Sequence, residues 1–468
     1  GFFEDVSGLL GHVHVERRYE DVERQGMLTR KLSQLGPGVC WVDLDGDGWM
    51  DLVVGGGRGG RMGVYRNVEG KRFEGVSVAG MNVEVCEQEQ AGVVGWSGEA
   101  GASTVVVGET SYESGGRRGG VREYGLFFGS AERQQIAGAV ESSVGPLAVT
   151  DAEGDGSLEL FVGGRVVGGK YPKGAESELY RKRGKVWEKD GRGSVVMKGL
   201  GMVSGAVWTD LDGDGKGELV TASEWGEVEV MRWEGGELKK WDMEVEWAGE
   251  WRGEGKGPRR LSEMKGWWNS VTAGDFDGDG RMDLVVGNRG LNNRYREYLK
   301  WGLRVHHGDV DGDGVWEVVE THWEPGLGKE VPWMDWKRMK GSMPGVGERF
   351  GSYREYGEAG VEEVLGEGLK GMEELRVNVM ETVVMMNRGG RLECHGMGGE
   401  MEYAPVYGLC VGDYDGDGRE DVFGGQNFFG TDGESGREDG GRGVWMKGDG
   451  RGGFRSVGGG ESGVKVYG

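Results

Sequence analysis

Residues 274–288 read GDFDGDGRMDLVVGN, and this short stretch decides the fold. Asp275, Asp277, Asp279 and Asp283 crowd four carboxylates into nine residues, with Gly278 and Gly280 between them. Such a cluster repels itself unless a cation sits inside it. A hard ion such as Ca²⁺ takes six to eight oxygens at about 2.3–2.6 Å. Glycine at loop positions four and six permits the left-handed backbone that turns alternate side chains inward. The same spacing recurs at Asp43, Asp45, Asp47 and Asp51, and at Asp210, Asp212, Asp214 and Glu218. It returns at Asp309, Asp311, Asp313 and Glu317 and at Asp413, Asp415, Asp417 and Asp421. A worn copy carries Asp151, Glu153, Asp155 and Glu159. The expected cofactor is calcium, up to six ions, with the 151–159 site the weakest because glutamate changes the reach.

An EF-hand needs a bidentate glutamate at loop position twelve and a helix on each side. Position twelve here is Val54, Val162, Thr221, Val286, Glu320 and Gly424, so the EF-hand fails. Short Val-rich runs closed by glycine follow the loops, as in LVVGGG at 52–57, and GVCWV at 38–42 precedes one. These read as buried strands. Each loop therefore joins two strands.

Spacing sets the architecture. The interval from Asp43 to Asp151 splits in two around residues 93–109, where Trp96, Gly98, Ala100 and Thr104 stand at the ligand positions and the metal is lost. Seven units result, with further strand signals at 62–76 and 381–393. Four strands per unit at this interval predict an all-β chain, a propeller of seven four-stranded antiparallel blades. The expected organisation is one propeller over 1–468. The interval from Asp275 to Asp309 predicts a trimmed or irregular blade, and the sixth blade carries an insertion over 332–375. There Val361, Val364, Leu365, Leu369, Met372 and Leu375 recur at helical spacing.

Composition bounds the rest. Glycine is 100 of 468 residues without a Gly-X-Y period, which excludes collagen. A net charge of −24 argues against nucleic acid or an anionic membrane as partner, and six calcium ions would halve it. No apolar run reaches the roughly 18–20 residues that cross a bilayer. The segment shows no signal peptide and starts at Gly1, which leaves export unread. The four cysteines are too sparse for a disulfide framework, and Cys40 and Cys410, three residues before their loops, read as small core residues.

Loop and flank together resemble the FG-GAP/VCBS repeat of integrin α-subunit propellers and bacterial secreted proteins. The opening at 2–57, with GWWNSVTAGDFDGDGRMDLVVGNRGLNN at 266–293 and the closing DYDGDGREDVFGGQNFF at 413–429, resembles VCBS-repeat proteins of the ASPIC/UnbV group, akin to cartilage acidic protein. The resemblance implies loops between the first two strands of each blade. It also implies that position seven adds a backbone carbonyl to the ligands: Trp49, Ser157, Lys216, Arg281, Val315 and Arg419. The ending at 452–468 resembles an outer strand leading to a further repeat.

Repetition of the loop favours a structural ion. No Gly-x-Ser-x-Gly, His-Glu-x-x-His or phosphate loop appears. His12, His14 and Glu16 alternate, which puts them on one face of any strand, though ordinary strand residues are the plainer reading. Trp267, Trp268 and Asn269 with Asn292, Asn293, Arg294 and Tyr295 combine aromatic faces, amides and a guanidinium suited to a sugar or peptide. Blade packing accounts for the same residues. The expected function is non-catalytic: a secreted or cell-surface scaffold for adhesion or carbohydrate binding, with an extracellular protein or glycan as partner. The alternative is a calcium-dependent, lyase-like enzyme acting on polysaccharide, with a base beside Arg in a cleft. Loops of this type often need high micromolar to millimolar calcium, so the expected setting is extracellular, cell-surface or periplasmic.

Overall fold

A computed structural model of the chain describes residues 1–98, 103–114, 119–127, 130–137, 142–193, 195–433 and 435–466. The protein is an all-β propeller of seven sheets, each four- or five-stranded. Glycine-bounded, Val-rich segments become strands because their side chains alternate between the faces of neighbouring sheets. Val53, Val105, Val107, Leu219, Val285 and Val384 lose all or nearly all contact with solvent.

Six sheets set their first strands side by side in chain order. These are Val39–Val42, Gln90–Ser97, Ser142–Thr150, Met202–Thr209, Ser270–Gly274 and Val406–Gly412. The first ten residues span the seam between the last sheet and the first. Phe3 N–H donates to Ser462 O at 2.8 Å, and the rings of Phe2 and Phe3 stand edge-on to Trp445. The helix Ser7–Leu10 then packs on the strand Arg72–Gly75 of the first sheet.

The remaining sheet decides between the two expectations: the blade is irregular, not trimmed. Strand Asp283–Gly287 pairs with Val383–Asn387, not with the strand that follows it in sequence. The pair Val383–Asn387 and Arg391–Gly396 thus completes the sheet of loop 275–283, and a parallel strand, Glu244–Trp247, extends it. Everything between is threaded out as its own sheet of Leu303–Gly308, Glu317–Glu324, Lys329–Pro332 and Glu373–Val377. Here the strand before the loop is internal, because Glu373–Val377 pairs along its outer side. Helices Trp336–Ser342, Pro344–Arg349, Tyr353–Gly357 and Val361–Leu365 lie between its last two strands. The expected amphipathic run is shorter than its spacing: Gly366 breaks it at φ 57°, and Leu375 belongs to a strand.

This threaded sheet covers one end of the propeller. Its Val305, Val318 and Val319, with Met339 and Val364, share a core with Tyr112, Tyr171, Trp225 and Trp267. Those aromatic residues stand at strand ends away from the acidic loops. The five acidic loops of the side-by-side sheets therefore occupy one end, while loop 309–317 belongs to the cap at the other. Among the described residues no helix is long and apolar enough to cross a membrane.

Candidate metal loops and the opposite face

All six loops fold alike, and the backbone shows why. In loop 275–283 Gly278 and Gly280 take φ of 72° and 84°, and the glycines at the same two positions of the other five loops are also left-handed. The first aspartate holds the turn: Asp275 accepts the Asp279 and Gly280 N–H groups, each at 3.0 Å. Asp43 does the same for Gly46 and Gly48 at 2.8 and 3.0 Å. The last carboxylate opens the next strand in every copy: Asp51, Glu159, Glu218, Asp283, Glu317 and Asp421. All six are buried, and each accepts the N–H of loop position two, as Asp51 does from Leu44 at 2.9 Å. Burial, opposed by backbone hydrogen bonds, pushes the carboxyls of Asp283, Glu218 and Glu159 up to about 7. Asp51 and Glu317 shift the same way.

Five loops bring three carboxylate oxygens within 4.8 Å of one another. The groups are Asp43, Asp45 and Asp51; Asp210, Asp212 and Glu218; Asp275, Asp277 and Asp279; Asp309, Asp311 and Glu317; and Asp413, Asp415 and Asp421. An all-oxygen, multiply anionic set fits a hard divalent ion. Such an ion would supply the charge that lets these groups stay ionised together. At position seven, the N–H of Trp49, Lys216, Arg281, Val315 and Arg419 donates to the loop's position-five carboxylate, as Ser157 does to Asp155.

Sequence spacing missed the cations already present. In the 151–159 loop the Arg181 guanidinium pairs with Glu153 and Asp155 and lies 3.5 Å from Glu159. Arg192 adds a second contact to Glu153 at 2.7 Å. Arg181 is the strand partner of Glu159, and Arg66, Arg232 and Lys447 hold the same register step in their sheets. Exposure separates them. Arg66 keeps 47% of its side chain in solvent, where water competes for it, whereas Arg181 keeps 10%. A basic residue on the third strand is the signal that could have found them.

A stoichiometry follows. Calcium-saturated protein should carry five ions by native mass spectrometry, and the Arg181→Ser, Arg192→Ser double variant should gain a sixth. Six ions on the unaltered chain would contradict the role given to Arg181.

In the second sheet the turn between Gln90–Ser97 and Ser103–Glu109 pairs Trp96 with Thr104 and places no carboxylate at those positions; Gly98 is described and Ala100 lies outside the described residues. The His12 and His14 ring centroids lie 6.2 Å apart and the rings take different partners. His12 Nδ1 meets the Tyr65 hydroxyl at 2.6 Å, and His14 Nε2 meets Glu16 at 2.8 Å. Cys40 is half-buried and packs against the core of the first two sheets, whereas Cys410 is exposed and is not the core residue expected.

The aromatic and amide cluster is divided by burial. Trp267, Trp268, Asn269 and Tyr295 are buried, the first and last under the threaded sheet. Trp268 packs in a separate core with Val220, Leu284 and Met385. Arg289 stacks over Trp267 at 3.8 Å, and Arg294 over Tyr295 at 5.0 Å. Asn293 is used locally, donating to Gly290 O at 2.8 Å. Asn293 and Arg294 are half-buried, and Asn292 is exposed at the rim of a cleft of about 730 Å³.

Repeated metal-type loops on a ring of sheets define a class: β-propellers with acidic loops at one end of the strands. Residues 210–286 match the model of the FG-GAP-like repeat. No curated protein sequence matches the chain. Among solved structures it is similar to BBS1N in complex with ARL6DN, at 12% identity and TM-score 0.37, covering 83% of this chain and 76% of that one. It is also similar to the fucose-specific lectin of Aleuria aurantia, at 12% identity and TM-score 0.32, covering 64% and 78%. A third is the α-L-arabinofuranosidase Arb93A of Fusarium graminearum, at 13% identity and TM-score 0.32, covering 56% and 75%.

Proposed function

We propose that the protein is a secreted or cell-surface scaffold that binds an extracellular protein or glycan, with calcium as a structural ion in its acidic loops. The observation that supports this best is the sameness of the loops: one backbone conformation and one buried strand-opening carboxylate in every loop, with three carboxylates gathered in five of them. An ion that polarises a substrate needs an open coordination position beside acid–base groups. Here the loops pin strand junctions instead, and the cleft lined by His395, Arg252 and Tyr403 lies at the other end of its strands. That separation favours binding over the calcium-dependent lyase reading.

Protein and glycan arrays probed with the calcium-loaded chain should return a reproducible ligand whose signal falls when a chelator is added. Arrays that stay silent with calcium present would remove the scaffold reading. Turnover of a polysaccharide would favour the enzyme instead.

A further inference from the structure

The cleft of about 730 Å³ beside the cap is built from the ends of the fifth sheet and the loop entering the last one. Its size falls within the range of small-ligand sites, about 300–1,000 Å³. Antiparallel pairing fixes its place. Asp283 opens its strand at the acidic loop, so Gly287, Val383 and Gly396 lie at the other end, next to Glu381 and His395. The walls are tied together. Glu402 O accepts the N–H groups of Leu291 and Asn292 at 3.0 and 3.1 Å, and Asn292 Nδ2 donates to Tyr403 O at 3.1 Å.

Two buried carboxyls form the floor. Glu381 pairs with Arg252. Among the described residues Glu402 forms no ion pair: Oε1 accepts the Thr382 N–H at 3.2 Å, Oε2 makes no hydrogen bond, and the Gly398 N–H and the Arg252 charge only partly favour its ionised form. Burial first, and then the charge of Glu381, push the Glu402 carboxyl up to about 8. The shift favours the protonated acid, which can donate one hydrogen bond and accept another. On the rim, half-buried Trp247 stands edge-on to Trp251 at 5.0 Å, and Tyr403 is 50% exposed.

We propose that this cleft binds a neutral oligosaccharide, stacking a sugar ring on Trp247 and Tyr403 and taking its hydroxyls on Asn292, Arg252 and Glu402. The inference rests on the scaffold reading and names its ligand class. Sugar hydroxyls both donate and accept, which matches amide, guanidinium and acid groups in one site. Aromatic rings offer broad apolar faces to C–H groups. Charge selects neutral over acidic sugars, since Arg252 and Arg296 are offset by Glu250 and Glu381 in the same walls.

The test uses calcium-loaded protein, with cellohexaose, xylohexaose and mannohexaose as probes and polygalacturonate for comparison, read by titration calorimetry. At least one neutral hexasaccharide should bind with a Kd below about 1 mM. Trp247→Ala and Tyr403→Ala should each weaken it about tenfold or more, a loss of about 1.4 kcal/mol. Trp323→Ala, on the threaded sheet, should leave it unchanged. Absence of binding by all three neutral probes overturns the proposal. So does binding that survives both rim variants, or binding of polygalacturonate alone. Unchanged calcium-dependent melting and array signal alongside such a failure would leave the scaffold intact and remove only the cleft.

Discussion

Stripping calcium from the loaded protein is expected to lower its melting temperature by about 7 °C. The estimate starts from repulsion. Two carboxylates 4.8 Å apart repel by about 1 kcal/mol in water and about 3.5 kcal/mol at an effective dielectric of 20. An ion bound only by the folded state returns RT ln(1 + [L]/Kd), about 1.4 kcal/mol per site at tenfold excess over Kd, so five sites give about 7 kcal/mol. An unfolding entropy of about 2.1 cal/mol/K per residue makes each kcal/mol worth about 1 °C in a chain this long. The pH dependence supplies a second signature. Asp283, Glu218 and Glu159 have folded-state values of about 7, above those of the unfolded chain. In metal-free protein the folded state then binds the extra protons, so stability is full below about pH 4 and is lost as pH rises towards 7. Calcium requires the ionised forms, so its stabilisation should grow over the same interval. Differential scanning calorimetry at pH 5.5 and 7.5, with and without a chelator, measures both. Melting curves that superimpose with and without calcium would remove the structural ion.

The loops were legible in the sequence because their physics is local. Gly278 and Gly280 sit between carboxylates at a spacing that suits a left-handed turn, and the backbone adopts that turn. The sheet count followed from the same period. What the sequence hid depends on pairing at a distance. Leu284 pairs with Met385, about a hundred residues away, and nothing in the run LVVG distinguishes that partner from the nearer strand at 303–308. The short interval between Asp275 and Asp309 thus read as a trimmed or irregular blade when it marks where a sheet is threaded out. The same threading buries Trp267 and Tyr295, so a composition suited to ligand stacking is spent on the cap. Glu381 and Glu402 belong to no motif, and only the fold brings them to one floor.

Glu224→Ala is expected to destabilise the protein by about 3–5 kcal/mol, because it leaves two buried arginines without their shared counter-ion. Glu224 is 1% exposed and lies at the capped end of its strand. It pairs with Arg165 from the third sheet and stands 3.4 Å from Arg30 of the N-terminal segment. Its Oε1 also accepts the Tyr171 hydroxyl at 2.8 Å. Burial alone would raise this carboxyl, but the two guanidinium groups and Tyr171 reverse the effect and bring it to about 2. Arg30 reaches onward to the Tyr407 hydroxyl at 2.6 Å, so one carboxylate couples the third, fourth and last sheets to the start of the chain. The stability it contributes is present above the unfolded value near 4.5 and is lost as pH falls towards 2, opposite in sign to the loop carboxyls. Glu224→Gln keeps the shape and the tyrosine contact but not the charge, which separates the ionic part from the packing. Urea unfolding of both variants at pH 7 in saturating calcium gives the comparison. Equal stability of all three proteins would show that the buried arginines find other partners and that the ring is not held through this residue.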